Sequence, residues 1–431
     1  MKILTKLLLL SLASIFLFSC AETKDPPLPG KRVNVLHYDV LENIDKSSAK
    51  INIPAQKNLS MWKTSDVGQF TGLPSNYSLN DSIKKKTSFR PSNFSPSIEQ
   101  DSAILIIEDT LYSYCNGVIS AFKISTEKNL WKASPVDKDE KEDILGGGLA
   151  YHNNVIYLST GARDFIAFDA ETGSEIWRTQ MPNVVRNIAL VYNNQIYVTS
   201  IDNKLSCYNL NGDLLWRHNA TIYSLISSRI YTPSVVYKDK LVTITTAGDL
   251  IILSRHGGEE INEVNLSTES IIGDGSIARG AIVSPVLDSH FLYTLTGENE
   301  LLKIDLLNSR IVWRQSFSGA KSFWVSGNTT YLLTDNNNLL ALENEKGKIV
   351  WLEDMPHHYF KESTSRILYG PIMAGNNLVV TADNGEFLLL SPYDGSLISR
   401  HKNDFSVTRM PIIVDKKIYF IGVGGKVAVW E

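Results

Sequence analysis

The fold this sequence predicts is an all-β, eight-bladed β-propeller with four-stranded antiparallel blades, the last blade closed by an N-terminal strand. Three observations predict it. A strand–turn–strand pattern recurs along the chain and ends each time on an indole, at Trp131, Trp177, Trp216, Trp313 and Trp351. Two weaker copies keep the pattern but place Asn262 and Ser399 at the expected tryptophan, so seven landmarks recur every 38 to 51 residues or so, a spacing of roughly one propeller blade. The last stretch, residues 411–431, has the first three strands of a blade but not its fourth.

The first residues do not belong to this pattern. Lys2 and Lys6 precede an apolar run from Leu7 to Phe18, shorter than the roughly 20 residues a membrane-spanning helix needs but typical of a signal peptide. Residues 1–19 are therefore assigned as a leader. Leu17-Phe18-Ser19-Cys20 resembles the lipobox of bacterial lipoproteins, in which the cysteine thiol takes a diacylglyceryl group and becomes the mature N-terminus. Acyl chains contribute about 0.8 kcal/mol per buried CH₂, so several of them on Cys20 anchor a protein stably. Ala21, not aspartate, follows Cys20, and by resemblance to sorted lipoproteins this favours the outer membrane. Residues 20–57 are polar, with Pro26, Pro27 and Pro29 near the start, and are expected to form a flexible tether. The propeller is expected over 58–431.

Each blade unit has Val/Ile/Tyr/Leu runs bounded by Gly, Asn or Asp turns, as in residues 151–178, YHNNVIYLSTGARDFIAFDAETGSEIWR. A lone four-stranded blade leaves both faces wet, and a large indole at a fixed site wedges it against its neighbour. Asn58-Leu59-Ser60-Met61-Trp62-Lys63 is the candidate for the missing outer strand, with Trp62 as the last blade's wedge. Closing the ring from both termini removes an exposed sheet edge.

The run from Phe168 to Trp177, FDAETGSEIW, resembles the tryptophan-docking motif of quinoprotein-type propellers. That superfamily contains both PQQ-dependent dehydrogenases and non-catalytic scaffolds. With the lipobox, the single-domain length and the blade count, the chain resembles the BamB family within it, and Leu28 to Val33 resembles a stretch of its alphaproteobacterial members. The resemblance implies a periplasm-facing lipoprotein, without catalysis or cofactor, that binds the POTRA region of BamA and other components of the β-barrel assembly (BAM) complex and assists insertion of outer-membrane proteins. It also implies partner contacts in two loops. Leu225, Ile226 and Arg229 fall in the first, before Pro233, and Arg279 in the second, before Ser284-Pro285. The family's acidic pair is absent from the second loop, where Gly280 and Ile282 stand in its place. A PQQ- or sugar-binding propeller with oxidoreductase activity is the rival reading.

Other constellations point away from catalysis. The formal net charge is −4, so no strongly basic face marks a nucleic-acid partner. Three cysteines build no disulfide framework, and Cys115 and Cys207 are expected to be small core side chains. His357-His358 lacks the further ligands a metal needs, and no helix start follows Gly146-Gly147-Gly148 to hold a phosphate. Gly273-Asp274-Gly275 reads as a turn.

Overall fold

The computed structural model describes residues 46–65, 75–80, 82–92, 94, 96, 102–136, 144, 146–220, 232–267, 280–359 and 366–431. The chain divides into Met1–Ile44 and Asp45–Glu431, and the described residues all belong to the second unit. They form eight antiparallel sheets arranged as propeller blades.

Blade 1 has strands Ala103–Ile107, Thr110–Cys115, Val118–Lys123 and Lys128–Ala133. The first and fourth strands of blade 2 are Gly148–His152 and Glu175–Gln180; of blade 3, Leu190–Tyr192 and Leu214–Asn219; of blade 4, Val235–Tyr237 and Glu260–Asn265. Those of blade 5 are Val286–Asp288 and Arg310–Ser316, of blade 6 Ala320–Ser326 and Ile349–Asp354, and of blade 7 Leu368–Ala374 and Leu397–Lys402. Blade 8 joins Ile412–Val414, Lys417–Ile421 and Val427–Trp430 to Lys85–Phe89. Second and third strands are buried almost throughout, while fourth strands such as Glu175–Gln180 alternate with solvent, as an outer edge must. A short helix, Met355–Tyr359, follows blade 6, and no helix among the described residues is long and apolar enough to cross a membrane.

Strand alternation sorts the connections onto two faces. Turns between first and second strands, and between third and fourth, lie on one face. Turns between second and third strands lie on the other, with the crossovers that lead to the next blade. Backbone hydrogen bonds tie this crossover face together: Met181 N donates to Arg163 O (2.7 Å), Leu266 N to Gly248 O (2.8 Å) and Asp335 N to Gly319 O (2.8 Å). Asn-Asn turns such as Asn153-Asn154 (φ 48° and 61°) adopt the left-handed backbone that two-residue hairpins favour.

Blade junctions are built from one repeated device. The register shifts in the fourth strand just before Trp131, Trp177, Trp216, Trp313 and Trp351. Each Nε1 then donates to a carbonyl in the next blade: Ala170, Leu210, Arg255, Asn344 and Pro392 respectively, at 2.9 to 3.3 Å. The same indoles lie against Gly173, Gly212, Gly258, Gly347 and Gly395. All five glycines have positive φ, and a Cβ on them would come within 2.4 to 3.0 Å of the ring. Behind each tryptophan, within its own blade, sits a second-strand tyrosine at about 6 Å: Tyr112, Tyr157, Tyr197, Tyr293 or Tyr331. In blade 2, Ala167 lies in register between Tyr157 and Trp177, small enough to let the rings meet.

Where the tryptophan is missing, its partners change with it. Blade 4 aligns Val242, Ile252 and Asn262; blade 7 aligns Val379, Leu389 and Ser399. Facing Asn262, the glycine position of blade 5 is Ser309.

Two sequence expectations need correction. The fourth strand of blade 8 is Lys85–Phe89, not Asn58–Lys63, and Thr87 holds the tryptophan position. Trp62 instead lies with Met61 on the inner side of blade 1, paired with Ile106 and Ile107, and is buried. Residues 46–57, also expected to belong to a flexible tether, pack on the propeller: Ile51 is buried, Asn52 N donates to Asn328 Oδ1 (2.8 Å), and Asn328 Nδ2 donates to Lys50 O (2.9 Å).

Candidate partner interface

Leu225, Ile226, Arg229 and Arg279 lie outside the described residues, as do Cys20 and the Gly273-Asp274-Gly275 segment. The frame around the two loops is described. One loop joins Asn219 of blade 3 to Val235 of blade 4, and the other joins Asn265 of blade 4 to Val286 of blade 5. Both are crossovers, so they flank blade 4 on the same face.

The floor between them is cross-linked. Asn203, in a blade 3 turn, accepts from Thr246 N (3.1 Å) and donates to Thr246 Oγ1 (3.0 Å) in the matching turn of blade 4. Thr245 and Asn265 hydrogen bond to Asp249, whose carboxyl is pushed up by burial. Gly280 closes the second loop: its N–H donates to Thr246 O (3.2 Å), and its carbonyl accepts from Gly297 N (2.9 Å). A Cβ at Gly280 would lie 2.4 Å from Thr245 O, so only glycine permits this approach. Ala281 pairs with Thr296, and Ile282 N donates to Leu295 O (2.9 Å), fixing the loop exit to blade 5. These bonds cross-link the base between two loops whose sequences carry Leu225, Ile226, Arg229 and Arg279.

The remaining candidate chemistry is structural. Cys115 and Cys207 are buried in blades 1 and 3, and burial pushes the Cys207 thiol up to about 12. His358 pairs with Glu353, and no cluster of three or more metal-ligating side chains occurs among the described residues. Gly147 N donates to Arg186 O (3.0 Å), and a Cβ on Gly148 would strike Ile188 at 2.2 Å, so this triplet serves close backbone packing at the entry to blade 2.

Sequence reasoning missed what covers the inner strands. Tyr77 hydrogen bonds with Met373 O (3.0 Å) and Gly375 N (2.8 Å) of blade 7, and Leu59 O accepts from Asp415 N (2.7 Å) of blade 8. Lys63 O accepts from Tyr151 N (2.8 Å), and Ser65 N donates to Leu149 O (3.0 Å), both in blade 2. Trp62, Tyr77 and Trp324 form an aromatic chain, and Trp324 Nε1 donates to Ser75 O (2.9 Å).

Comparison with known proteins agrees with the ring. The sequence model of the family described as outer membrane protein assembly factor BamB matches residues 115–353, more than half of the chain. An uncharacterised protein of Rickettsia prowazekii is 29% identical over 234 residues, 53% of this chain and 56% of that protein. The chain thus spans little more than half the length of that relative. Outer membrane protein assembly factor BamB of Escherichia coli is 22% identical over 72% of this chain and 79% of its own length. Among solved structures, BamB from Moraxella catarrhalis superposes with a TM-score of 0.63 at 17% identity, covering 81% of this chain and all of that one. A europium-containing methanol dehydrogenase reaches the same TM-score at 12% identity over 83% of this chain and 96% of its own, a likeness of fold alone. On the family match and the closed eight-bladed ring, the chain belongs to the BamB family of outer-membrane protein assembly factors.

Proposed function

We propose that this chain is a non-catalytic scaffold of the BAM complex, held at the outer membrane by lipid on Cys20 and facing the periplasm. It binds the POTRA region of BamA through the crossovers flanking blade 4, residues 221–231 and 268–279, and so assists insertion of outer-membrane proteins. The observation that carries this reading is the family match over blades whose crossovers stand on a cross-linked floor. Rigid scaffolds with loops of this kind are where binding residues concentrate. Leu225 and Ile226 supply apolar anchors and Arg229 and Arg279 supply charge-assisted donors, the residue types that dominate interfaces. Main-chain pairing by the loops tolerates the loss of the acidic pair at Gly280 and Ile282.

The chain's own segment on the inner strands favours the scaffold over a channel-bound quinone. A photoreactive residue at position 225 or 229 of the full chain tests the proposal in cells. A crosslink to the barrel-forming subunit is expected. Correct localisation without any such crosslink would sink it.

A further inference from the structure

The eight blade junctions are not joined in the same way. Five carry an indole: 1 to 2, 2 to 3, 3 to 4, 5 to 6 and 6 to 7. Three do not. At 4 to 5 the tryptophan position is Asn262, at 7 to 8 it is Ser399, and at 8 to 1 it is Thr87. The third and fourth strands of blade 8 come from distant parts of the sequence, so no continuous turn links them to receive an indole from blade 7. In blade 1 the residue facing Thr87's position is Glu127, at φ 52°, where the docking glycine stands elsewhere.

We propose that residues 46–65 and 75–79 form a ring-closing strap that replaces the missing indoles at the 7 to 8 and 8 to 1 junctions. The strap touches five consecutive blades. Asn52 bonds to the blade 6 turn at Asn328, Tyr77 to blade 7 and Leu59 to blade 8, Met61-Trp62 pair with blade 1, and Lys63 and Ser65 bond to blade 2. From the blade 7 to 8 crossover, Arg409 reaches across and donates to Ser65 O (3.4 Å) and Ser102 O (2.5 Å), tying strap, blade 1 and crossover together.

The apolar core shows the same division. Junctions 1 to 2 through 5 to 6 each have a separate hydrophobic cluster. Blades 6, 7, 8 and 1 share one continuous cluster, which includes Ile51, Trp62, Tyr77 and Leu79 of the strap. Trp62 is 4% and Tyr77 1% exposed, so the strap is a core element of these blades. Junction 4 to 5 has neither indole nor strap; its own cluster and the crossover bonds at Gly280 join it.

Hydrogen–deuterium exchange on the full-length protein, resolved by strand, tests the strap. Trp62→Ala should speed exchange in Ala103–Ile107 and Ile412–Val414 on the order of a hundred- to a thousandfold, the cost of a large buried aromatic, while Gln195–Thr199 and Phe291–Leu295 stay unchanged. Should that variant not fold, Trp324→Phe removes the bond to Ser75 O while keeping most of the buried ring, and is expected to speed exchange in Leu368–Ala374 and Ile412–Val414 at least roughly fivefold. A second arm asks whether an indole can stand in for the strap. Adding Thr87→Trp and Glu127→Gly to Trp324→Phe should slow exchange in blade 8 again, whereas Asn262→Trp with Ser309→Gly should not. Acceleration spread evenly over all blades, or equal rescue by both pairs, would overturn the proposal.

Discussion

Trp351→Ala removes one of the indoles that join a blade to its neighbour, and its cost can be worked from the contacts. The side chain is 7% exposed, lies 6.0 Å from the ring of Tyr331, and donates to Pro392 O at 2.9 Å. Deleting a buried tryptophan costs about 3–5 kcal/mol. Trp351→Phe keeps most of the apolar area and leaves the Pro392 carbonyl without its donor, for about 1–2 kcal/mol. Gly395→Ala acts on the same contact from the other side, because its Cβ would meet the indole at 3.0 Å in a backbone held at φ 77°. Urea unfolding followed by far-ultraviolet circular dichroism measures each cost. The two sites should couple: with Trp351 already alanine, Gly395→Ala loses its clash and keeps only the backbone strain, so the double variant falls short of the sum by on the order of 1 kcal/mol. Strict additivity would refute the view that tryptophan and glycine form one unit.

His401 lies 4.9 Å from Phe387 and 5.4 Å from Trp430 between ring centroids, and burial holds its pKa below the ordinary 6.5. The unfolded chain therefore takes up a proton that the folded one refuses, so stability is complete above pH 6.5 and falls as pH drops through the folded pKa. His152, lowered by burial and by Lys63, adds a loss of the same sign, and His401→Phe should shrink the acid-induced fall in urea midpoint. Gly280→Ala pushes on Thr245 O beneath the second candidate loop and should weaken binding to a POTRA fragment roughly tenfold, about 1.4 kcal/mol, in a fluorescence anisotropy titration. Cys20→Ser should release the protein from membranes into the soluble periplasmic fraction on cell fractionation.

Much of the ring was legible in the sequence because its junctions depend on large, rare side chains. Trp131, Trp177, Trp216, Trp313 and Trp351 end their strands where the repeat places them, and Asn262 and Ser399 hold the same positions without the ring. Blade 8 was misread because Leu59-Ser60-Met61-Trp62 imitates the apolar pair that ends in tryptophan. A signal against that reading was available: Glu127 stands where a docked indole needs glycine, so no tryptophan is called for at the junction from blade 8 to blade 1. The true strand, Lys85–Phe89, carries little apolar signal. It is held by pairing with Val427–Trp430 and by Lys85 and Lys426, which hold the Asp404 carboxyl well below the usual carboxylate range. Residues 46–57 of the strap read as tether because their packing depends on distant partners, Asn76 and Asn328, that no local pattern shows. The candidate loops had a legible position and composition, but no local pattern in the chain specifies what they touch.

Isothermal titration of the mature full-length protein with the POTRA region of its barrel-forming partner tests the scaffold reading most directly. Saturable binding with a Kd below about 10 μM is expected, weakened by Leu225→Ala and Arg229→Ala. Tyr393→Ala, on the opposite face and 58% exposed, should leave it unchanged. No heat of association at tens of micromolar, or equal losses from substitutions on both faces, would contradict the account.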